Sequence, residues 1–242
     1  MKGIVLAGGT GSRLYPLTKV TNKHLLPVYD EPMIFKPIKT LRDSGIKDII
    51  VVLGGESIGE VVRVLGNGRE LGVNLAYVYQ EESAGIADAL HTTKRLVQGE
   101  KLAVILGDNV FTQKFDEEAR EFEKQREYNC YLFLNEVDEP SHYGIADIDE
   151  KGNILSIDEK PESSKSNLAV TGLYFYDNTV FSAIEQLREK KVFSKNNEFE
   201  ISAVNQRLLE KNRVKSQLLK SYWSDAGTID NLMKTSWYLA KL

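Results

Sequence analysis

Four short apolar runs set the strongest constraint on what this chain can become. GIVLA (3–7), DIIVVL (48–53), LAYVY (75–79) and LAVILGD (102–108) are short, nearly continuous and rich in β-branched residues. Runs of that kind read as strands buried on both faces. Helical patterns separate them. PMIFKPIKTLRDSG (32–45) sets Ile34, Ile38 and Leu41 on one face, with Gly45 as its stop. SIGEVVRVLG (57–66) and IADALHTTKRLV (86–97) are the next two, and FDEEAREFEKQ (115–125) aligns Phe115, Ala119 and Phe122. Strands alternating with helices predict an α/β fold on a parallel sheet, with helices on both faces.

Past residue 128 the rhythm changes. CYLFLNEV, YGIADIDEKGNILSIDEK and AVTGLYFYD read as strands, and the turn residues DEKGN between two alternating runs predict a hairpin. Helices over about 179–189, 201–211 and 228–241 complete the pattern. No repeat, low-complexity stretch or linker divides the 242 residues, so the expectation is one domain whose second half adds a smaller mixed sheet over the carboxyl edge of the first.

The chemistry of the chain removes several function classes. A net charge of −4 with both signs scattered argues against general nucleic-acid binding. The 42% apolar and 27% charged fractions are those of an ordinary globular chain, and no 18-residue apolar stretch or signal-peptide layout occurs, so no membrane contact is expected. Cys130 is the only cysteine. It cannot form an internal disulfide, and within CYLFL it reads as a buried, inert thiol. A reducing, cytoplasmic setting is the default expectation.

The glycine-rich turn LAGGTGSRL (6–14) directly follows the first strand. Leu14 stands where the dinucleotide fingerprint has its third glycine, and no lysine occupies the Walker position. What remains is a loop of Gly8, Gly9 and Gly11 with Arg13, which admits close backbone approach and supplies N–H and guanidinium donors to phosphate. The local sequence is equally that of a tight turn with a surface arginine. Lys23, in NKHLLPV, is within sequence reach of the same phosphates. His24 beside it is a candidate base or polar lining residue. His24, His91 and His142 have no metal-ligand spacing.

Two acids sit where open α/β sheets bind ligands. Asp108 ends a buried strand in ILGDNVF, placed for a divalent cation, a ribose hydroxyl or a helix cap. Asp225, in YWSDAGT, precedes Gly227 and the last helix and is a second cation ligand or a turn residue. Mg²⁺ is usually held by one or two carboxylates plus substrate phosphates. Glu159 and Lys160, in DEKP, pair a carboxylate with an ammonium, suited to sugar hydroxyls and a sugar phosphate or to a charged hairpin end. YGIA and VTGLY each set a glycine in a β-like run, a sign of close ligand approach or of a bulge.

MKGIVLAGGTGSRLYPLT, NKHLLPV, LGDNVF, YGIA, DEKP, AVTGLYFYD and WSDAGT occur in the order seen in sugar-1-phosphate nucleotidylyltransferases, and the chain resembles the thymidylyltransferases among them from residue 1 to about 240. The resemblance implies a Rossmann-like three-layer α/β/α fold with a mostly parallel central sheet and an additional small mixed sheet for the sugar. It also implies a single domain with a nucleotide-binding half over about residues 1–128 and a sugar-binding half with closing helices over about 129–242. It implies that Leu6, Gly8, Gly9, Gly11, Arg13, Gln80, Gly85 and Asp108 hold the nucleotide, with Gln80 and Gly85 at the pyrimidine. Tyr143, Gly144, Glu159, Lys160, Val170 and Gly172 would hold the sugar phosphate, Asp108 and Asp225 would bind Mg²⁺, and Arg13, Lys23 and Lys160 would carry catalysis. The implied substrates are dTTP or UTP and a hexose-1-phosphate. The implied products are pyrophosphate and a nucleotide-sugar. A homo-oligomer is also implied. Uracil and thymine share the edge a glutamine reads, so a UTP-dependent uridylyltransferase is the alternative, and a non-catalytic nucleotide-sugar sensor is a second.

The chain departs from that pattern in three places. His24 stands where these enzymes commonly have glutamine. KNNEFEISA (195–203) replaces RGELEITD, so Asn196 stands where an arginine is expected to touch sugar phosphate, with Lys195 beside it. Longer members continue about 50 residues into helices that help build a regulatory nucleotide site. Here the sequence stops at Leu242, which leads to the expectation of weak or absent product inhibition through such a site.

Overall fold

The computed structural model describes the whole chain except residues 56–57, 82–83, 98, 194–197 and 212. The elements run β1 (Lys2–Ala7), β2 (Pro27–Val28), β3 (Glu31–Pro32), α1 (Phe35–Asp43), β4 (Asp48–Gly54), α2 (Ile58–Leu65), β5 (Asn74–Gln80), α3 (Ile86–Thr92), β6 (Leu102–Leu106), β7 (Asn109–Phe111) and α4 (Asp116–Lys124). They continue with β8 (Cys130–Glu136), β9 (Gly144–Ile148), β10 (Ile154–Glu159), β11 (Leu168–Tyr176), α5 (Thr179–Glu189), α6 (Ile201–Leu209), β12 (Val214–Leu218), β13 (Trp223–Asp225) and α7 (Ile229–Leu239).

All four apolar runs of the first half are strands, and they pair in parallel. β1 lies between β4 and β6, and β5 adds beyond β4. Their carboxyl ends, carrying Gly8, Gln80 and Asp108, therefore open along one edge. Helices cover both faces of the sheet, and each face has its own apolar core. One core holds Ile4, Val52, Leu90, Val104 and Phe181; the other holds Val5, Ile38, Val51, Ile105 and Phe122. Strand alternation explains the split, since successive residues of β1 point to opposite faces.

The second-half strands are continuous with this sheet. It has nine strands in the order β10-β9-β11-β6-β1-β4-β5, with β8 and β12 branching from β11. β11 joins the two halves because it changes neighbour along its length. Leu173–Tyr176 pair antiparallel with β6, whereas Leu168 and Ala169 pair with β9. The register against β8 shifts between Val170 and Tyr174, so the strand is irregular where it crosses from one partner to the other. The hairpin expected at DEKGN is β9–β10. Two further two-stranded antiparallel sheets, β2–β3 and β13–β7, lie apart from the main one.

Element boundaries differ from the sequence expectations for local reasons. The helix expected from 32 starts at Phe35, because Glu31 and Pro32 pair with Pro27 and Val28. Ser57, the expected start of the second helix, lies outside the described residues. The helix expected over 86–97 stops at Thr92. The Thr92 and Thr93 hydroxyls donate back to the Ala89 and Leu90 carbonyls at 2.7 Å, which competes with helix continuation. Among the described residues, no helix is long and apolar enough to cross a membrane.

Candidate active site

One cavity of about 450 Å³ opens at the carboxyl edge of β1, β5 and β6. Every residue the sequence singled out for nucleotide, sugar phosphate or cation lines it: Leu6, Gly8, Gly9, Gly11, Arg13, Lys23, Gln80, Gly85, Asp108, Tyr143, Gly144, Glu159, Lys160, Val170, Gly172 and Asp225. Strand direction brings the first half to this edge, and the β11 crossover brings β9 and β10 beside it.

The loop is closely packed, and at Gly11 the residue has to be glycine. Gly11 has φ +72, and a Cβ there would sit 2.7 Å from Cβ of Lys23. A Cβ on Gly8 would sit 2.8 Å from Oε1 of Gln80, and one on Gly9 would meet the Lys23 ammonium at 3.1 Å. The loop thus lies directly against Lys23 and Gln80. Side chains here would fill the space between backbone N–H groups and a ligand.

Asp108 and Asp225 converge through a pairing that no local pattern announces. β7 and β13 run antiparallel with Asn109 opposite Asp225, and the Ala226 amide donates to the Asp108 carbonyl at 2.9 Å. Lys23 reaches Asp108 Oδ2 at 2.7 Å, and Arg13 lies 3.6 Å from Asp225 Oδ2. Burial and the repulsion of Asp108 push the Asp225 carboxyl up to about 6, against the pull of Arg13. Asp108 responds in the opposite direction. Burial raises it, but Lys23, by charge and hydrogen bond, together with the Asn109 amide, holds it well below the usual carboxylate range. Two buried carboxylates that repel each other beside a phosphate-sized cradle leave room for a positive charge. Their all-oxygen donor set fits Mg²⁺, which takes its remaining ligands from water and phosphate. Among the described residues, no group of three or more His, Cys, Asp or Glu side chains stands together that could hold a metal ion.

His24 is corrected. It does not line the cavity but lies beneath it, 1% exposed, with its ring against Gly107, where a Cβ would come within 2.8 Å of His24 Cδ2. Its Nδ1 lies 3.0 Å from the Asn22 side-chain oxygen, which accepts the ring proton. Burial, then the charge of Lys23, pushes its pKa down to about 3, so it is neutral and acts as a spacer under the floor.

The part of the cavity where the resemblance places the sugar phosphate is lined from β9, β10 and α6. Lys160 follows β10 in the left-handed region, φ 45, held by its amide donating to the Tyr143 carbonyl at 2.9 Å. That strained conformation turns its ammonium toward Glu159, 3.0 Å away. Burial opposes its charge, but Glu159, Glu200 and Glu198 outweigh it and raise its pKa. Gly144 leaves room for Glu159, since a Cβ there would lie 3.3 Å from Oε2. Lys195 and Asn196, where the sequence departs from the expected arginine motif, lie outside the described residues.

Sequence reasoning missed three contributors. Asn109 accepts from the Gly172 amide at 3.0 Å and from the Trp223 indole at 2.7 Å, plugging the point where β11 changes partner. Ser202 donates to Glu159, and Asp88 accepts from Gln80. Only the asparagine had any signal, as the residue after Asp108. Gly85 needs its glycine for another reason than base approach. Its φ is +101, and a Cβ would fall 2.5 Å from the Phe199 amide nitrogen. The Phe199 amide donates to Ala84 and its carbonyl accepts from Ala87, so this contact ties the loop before α3 to the one before α6.

A model of the nucleotidyl transferase family matches residues 2–241. This chain belongs to the nucleotidyl transferase family. The glucose-1-phosphate thymidylyltransferase of Neisseria gonorrhoeae is 38% identical over 234 residues, covering 96% of this chain and 80% of that protein. The enzyme of the same name from Mycolicibacterium smegmatis is 39% identical over 239 residues, covering 98% and 81%. A Bacillus anthracis structure, described as a candidate glucose-1-phosphate thymidylyltransferase in complex with a sucrose, superposes with a TM-score of 0.91 at 41% identity, covering 100% of this chain and 96% of that one. A UDP-glucose pyrophosphorylase complexed with UDP-glucose superposes at 0.83 with 25% identity, covering 99% and 98%. As a nucleotidyl transferase, the chain has its glycine loop, its paired aspartates and its Glu-Lys corner in one cavity of the family fold.

Proposed function

We propose that this nucleotidyl transferase joins dTTP to glucose-1-phosphate or a related hexose-1-phosphate, giving a dTDP-sugar and pyrophosphate. The observation that carries the reading is the single cavity in which Arg13 and Lys23 lie near Asp108 and Asp225 at one end and Lys160 lies with Glu159 at the other. Identity of 38–39% to thymidylyltransferases supports the choice of nucleotide and sugar.

The chemistry needs positioning more than proton transfer. A sugar-1-phosphate is largely dianionic at pH 7, since its second pKa is about 6. One of its oxygens forms the new bond to the α-phosphorus while the bond to the bridging oxygen of pyrophosphate breaks. No protein nucleophile or general base is required, which agrees with a neutral His24 under the floor. The obstacle is the gathering of negative charge. Gly8, Gly9 and Gly11 give the phosphates backbone access, Arg13 and Lys23 offset charge on the triphosphate, and Lys160 holds the attacking phosphate in line. Asp108 and Asp225 would hold Mg²⁺, which when bound supplies charge neutralisation on the phosphates. Glu159, fixed by Ser202, accepts from sugar hydroxyls. Triphosphate substrates and an inert lone thiol are in keeping with a cytoplasmic reaction.

Pyrophosphate release across a panel of triphosphates and sugar-1-phosphates tests the reading. The expected result is turnover highest with dTTP and glucose-1-phosphate. A clear preference for UTP selects the uridylyltransferase reading, which the likeness to UDP-glucose pyrophosphorylase supports. Silence across the panel with tight nucleotide-sugar binding selects a sensor.

A further inference from the structure

Gln80 ends β5 with its side chain 6% exposed on the cavity wall. Its amide nitrogen donates to Asp88 Oδ2 at 2.9 Å and lies 3.4 Å from the Gly85 carbonyl. Both partners can only accept. An ionised carboxylate has no proton to give, and a carbonyl never has one. The amide is therefore chemically fixed with nitrogen toward Asp88 and oxygen toward Gly8, whose missing Cβ would lie 2.8 Å from that oxygen. No hydrogen bond from a described residue occupies Oε1. Asp88 is itself held by the Arg188 guanidinium, which donates to its other oxygen and lies 3.4 Å from the His91 ring. Arg188 has no acceptor to offer, so it donates to one Asp88 oxygen and leaves the other turned to Gln80. Asp88 lies on α3 and Arg188 on α5, one layer behind the cavity, and neither lines it.

We propose that Asp88, held by Arg188, is a positioning residue that fixes the Gln80 amide with its oxygen toward the nucleotide, so that among pyrimidines the pocket accepts those presenting a ring N–H and rejects those presenting a ring acceptor. The inference rests on the nucleotide-binding reading above. Thymine and uracil carry a proton on N3 and can donate it to Oε1. Cytosine presents a bare N3, and two acceptors would then face each other with no proton between them. A free glutamine would not discriminate, because a flip of its amide would exchange oxygen for nitrogen and satisfy cytosine instead. The flip is closed here by the carboxylate, against which the amide oxygen would be set at hydrogen-bond distance.

Dissociation constants for dTTP and dCTP, measured by calorimetry with Mg²⁺ on the whole chain, test the inference. The unsubstituted protein is expected to bind dTTP at least about tenfold more tightly than dCTP. Asp88→Asn keeps the shape but can present either an oxygen or an NH₂ to Gln80, and the dTTP:dCTP ratio is expected to fall about tenfold, largely through a gain for dCTP. A purely structural Asp88 would weaken both nucleotides together and leave the ratio unchanged, which overturns the proposal. Equal binding of the two by the unsubstituted protein overturns it without any variant; should Asp88→Asn fail to fold, Arg188→Gln, which releases the Asp88 carboxylate, is expected to lower the same ratio, and an unchanged ratio overturns the proposal. Pyrophosphate release is measured in parallel. Binding of dTTP without turnover defeats the enzymatic reading while the ratio still decides this one; no binding of either nucleotide defeats both.

Discussion

Replacing Gly172 by alanine probes the crossover that joins the two halves of the sheet. An alanine Cβ would lie 2.4 Å from Asn109 Oδ1 and 2.5 Å from its Cγ. No real Cβ contact is that short, and β11 is held by β6 and β8, so the asparagine must move. Asn109 is 1% exposed and its oxygen accepts from the Gly172 amide and the Trp223 indole. Displacing it leaves two buried N–H groups without partners, at about 1–3 kcal/mol each, or about 2–6 kcal/mol together. That is a large part of a typical total of about 5–15 kcal/mol. Equilibrium urea unfolding measures it directly. The same N–H groups are orphaned by Asn109→Ala, which also vacates the space an alanine at 172 needs. Adding Gly172→Ala to Asn109→Ala should therefore cost less than about 1 kcal/mol further, a strong non-additivity. Turnover should fall as well, by about tenfold, because the Asn109 amide donates to Asp108 Oδ1 at 3.1 Å and helps to aim it. Full additivity of the two substitutions, or a loss below about 1 kcal/mol for Gly172→Ala alone, would refute the reasoning.

The paired acids give two further predictions. Asp108→Asn should lower turnover by two or more orders of magnitude with the fold intact by circular dichroism; near-normal turnover at saturating Mg²⁺ removes the cation assignment. Asp225, pushed up to about 6, keeps its proton to higher pH folded than unfolded, where a carboxyl titrates near about 4. Between those values the folded state binds more protons, so the stability this group contributes falls as pH rises from about 4 to 6. Cation binding needs the ionised form and runs the other way: Mg²⁺ affinity should drop severalfold from pH 7.5 to pH 5, and Asp225→Asn should abolish that dependence; a flat profile in the unsubstituted protein contradicts it. Arg13→Met should reduce kcat/KM by about 10–100-fold, the value of a charge-assisted hydrogen bond, with a smaller change in melting temperature. Gly85→Ala should destabilise by more than the usual surface change and weaken nucleotide binding, because the residue must keep φ +101 beside the Phe199 backbone; unchanged unfolding in urea contradicts this.

Much of the fold and the cavity was legible in the sequence because local rules govern those parts. Buried strands show as continuous β-branched runs, amphipathic helices as a 3.6-residue period, and the β9–β10 turn as DEKGN, all within windows shorter than 20 residues. Parallel strands put their carboxyl ends on one edge, so Gly8 and Asp108 could be assigned to it without coordinates. Three-dimensional structure decided what depends on partners far away in the chain. Asp108 and Asp225 meet because β7 pairs with β13 across more than 100 residues, and their opposed pKa shifts follow from that meeting. The sugar-side strands continue the central sheet because β11 exchanges β9 for β6 at a bulge, and Asn109 fills the gap. His24 left the cavity for its floor because Gly107 offers a flat backbone to pack on. Asp88 acquired a task only when α5 delivered Arg188 to it, 100 residues on. The sequence by itself determined where glycines, acids and basic side chains follow the strand ends, since residue chemistry and strand-end position are local properties. Only the tertiary structure decided which of them touch, and so which carboxylate stays charged, which proton is held and which way an amide faces, because those depend on burial and on distance.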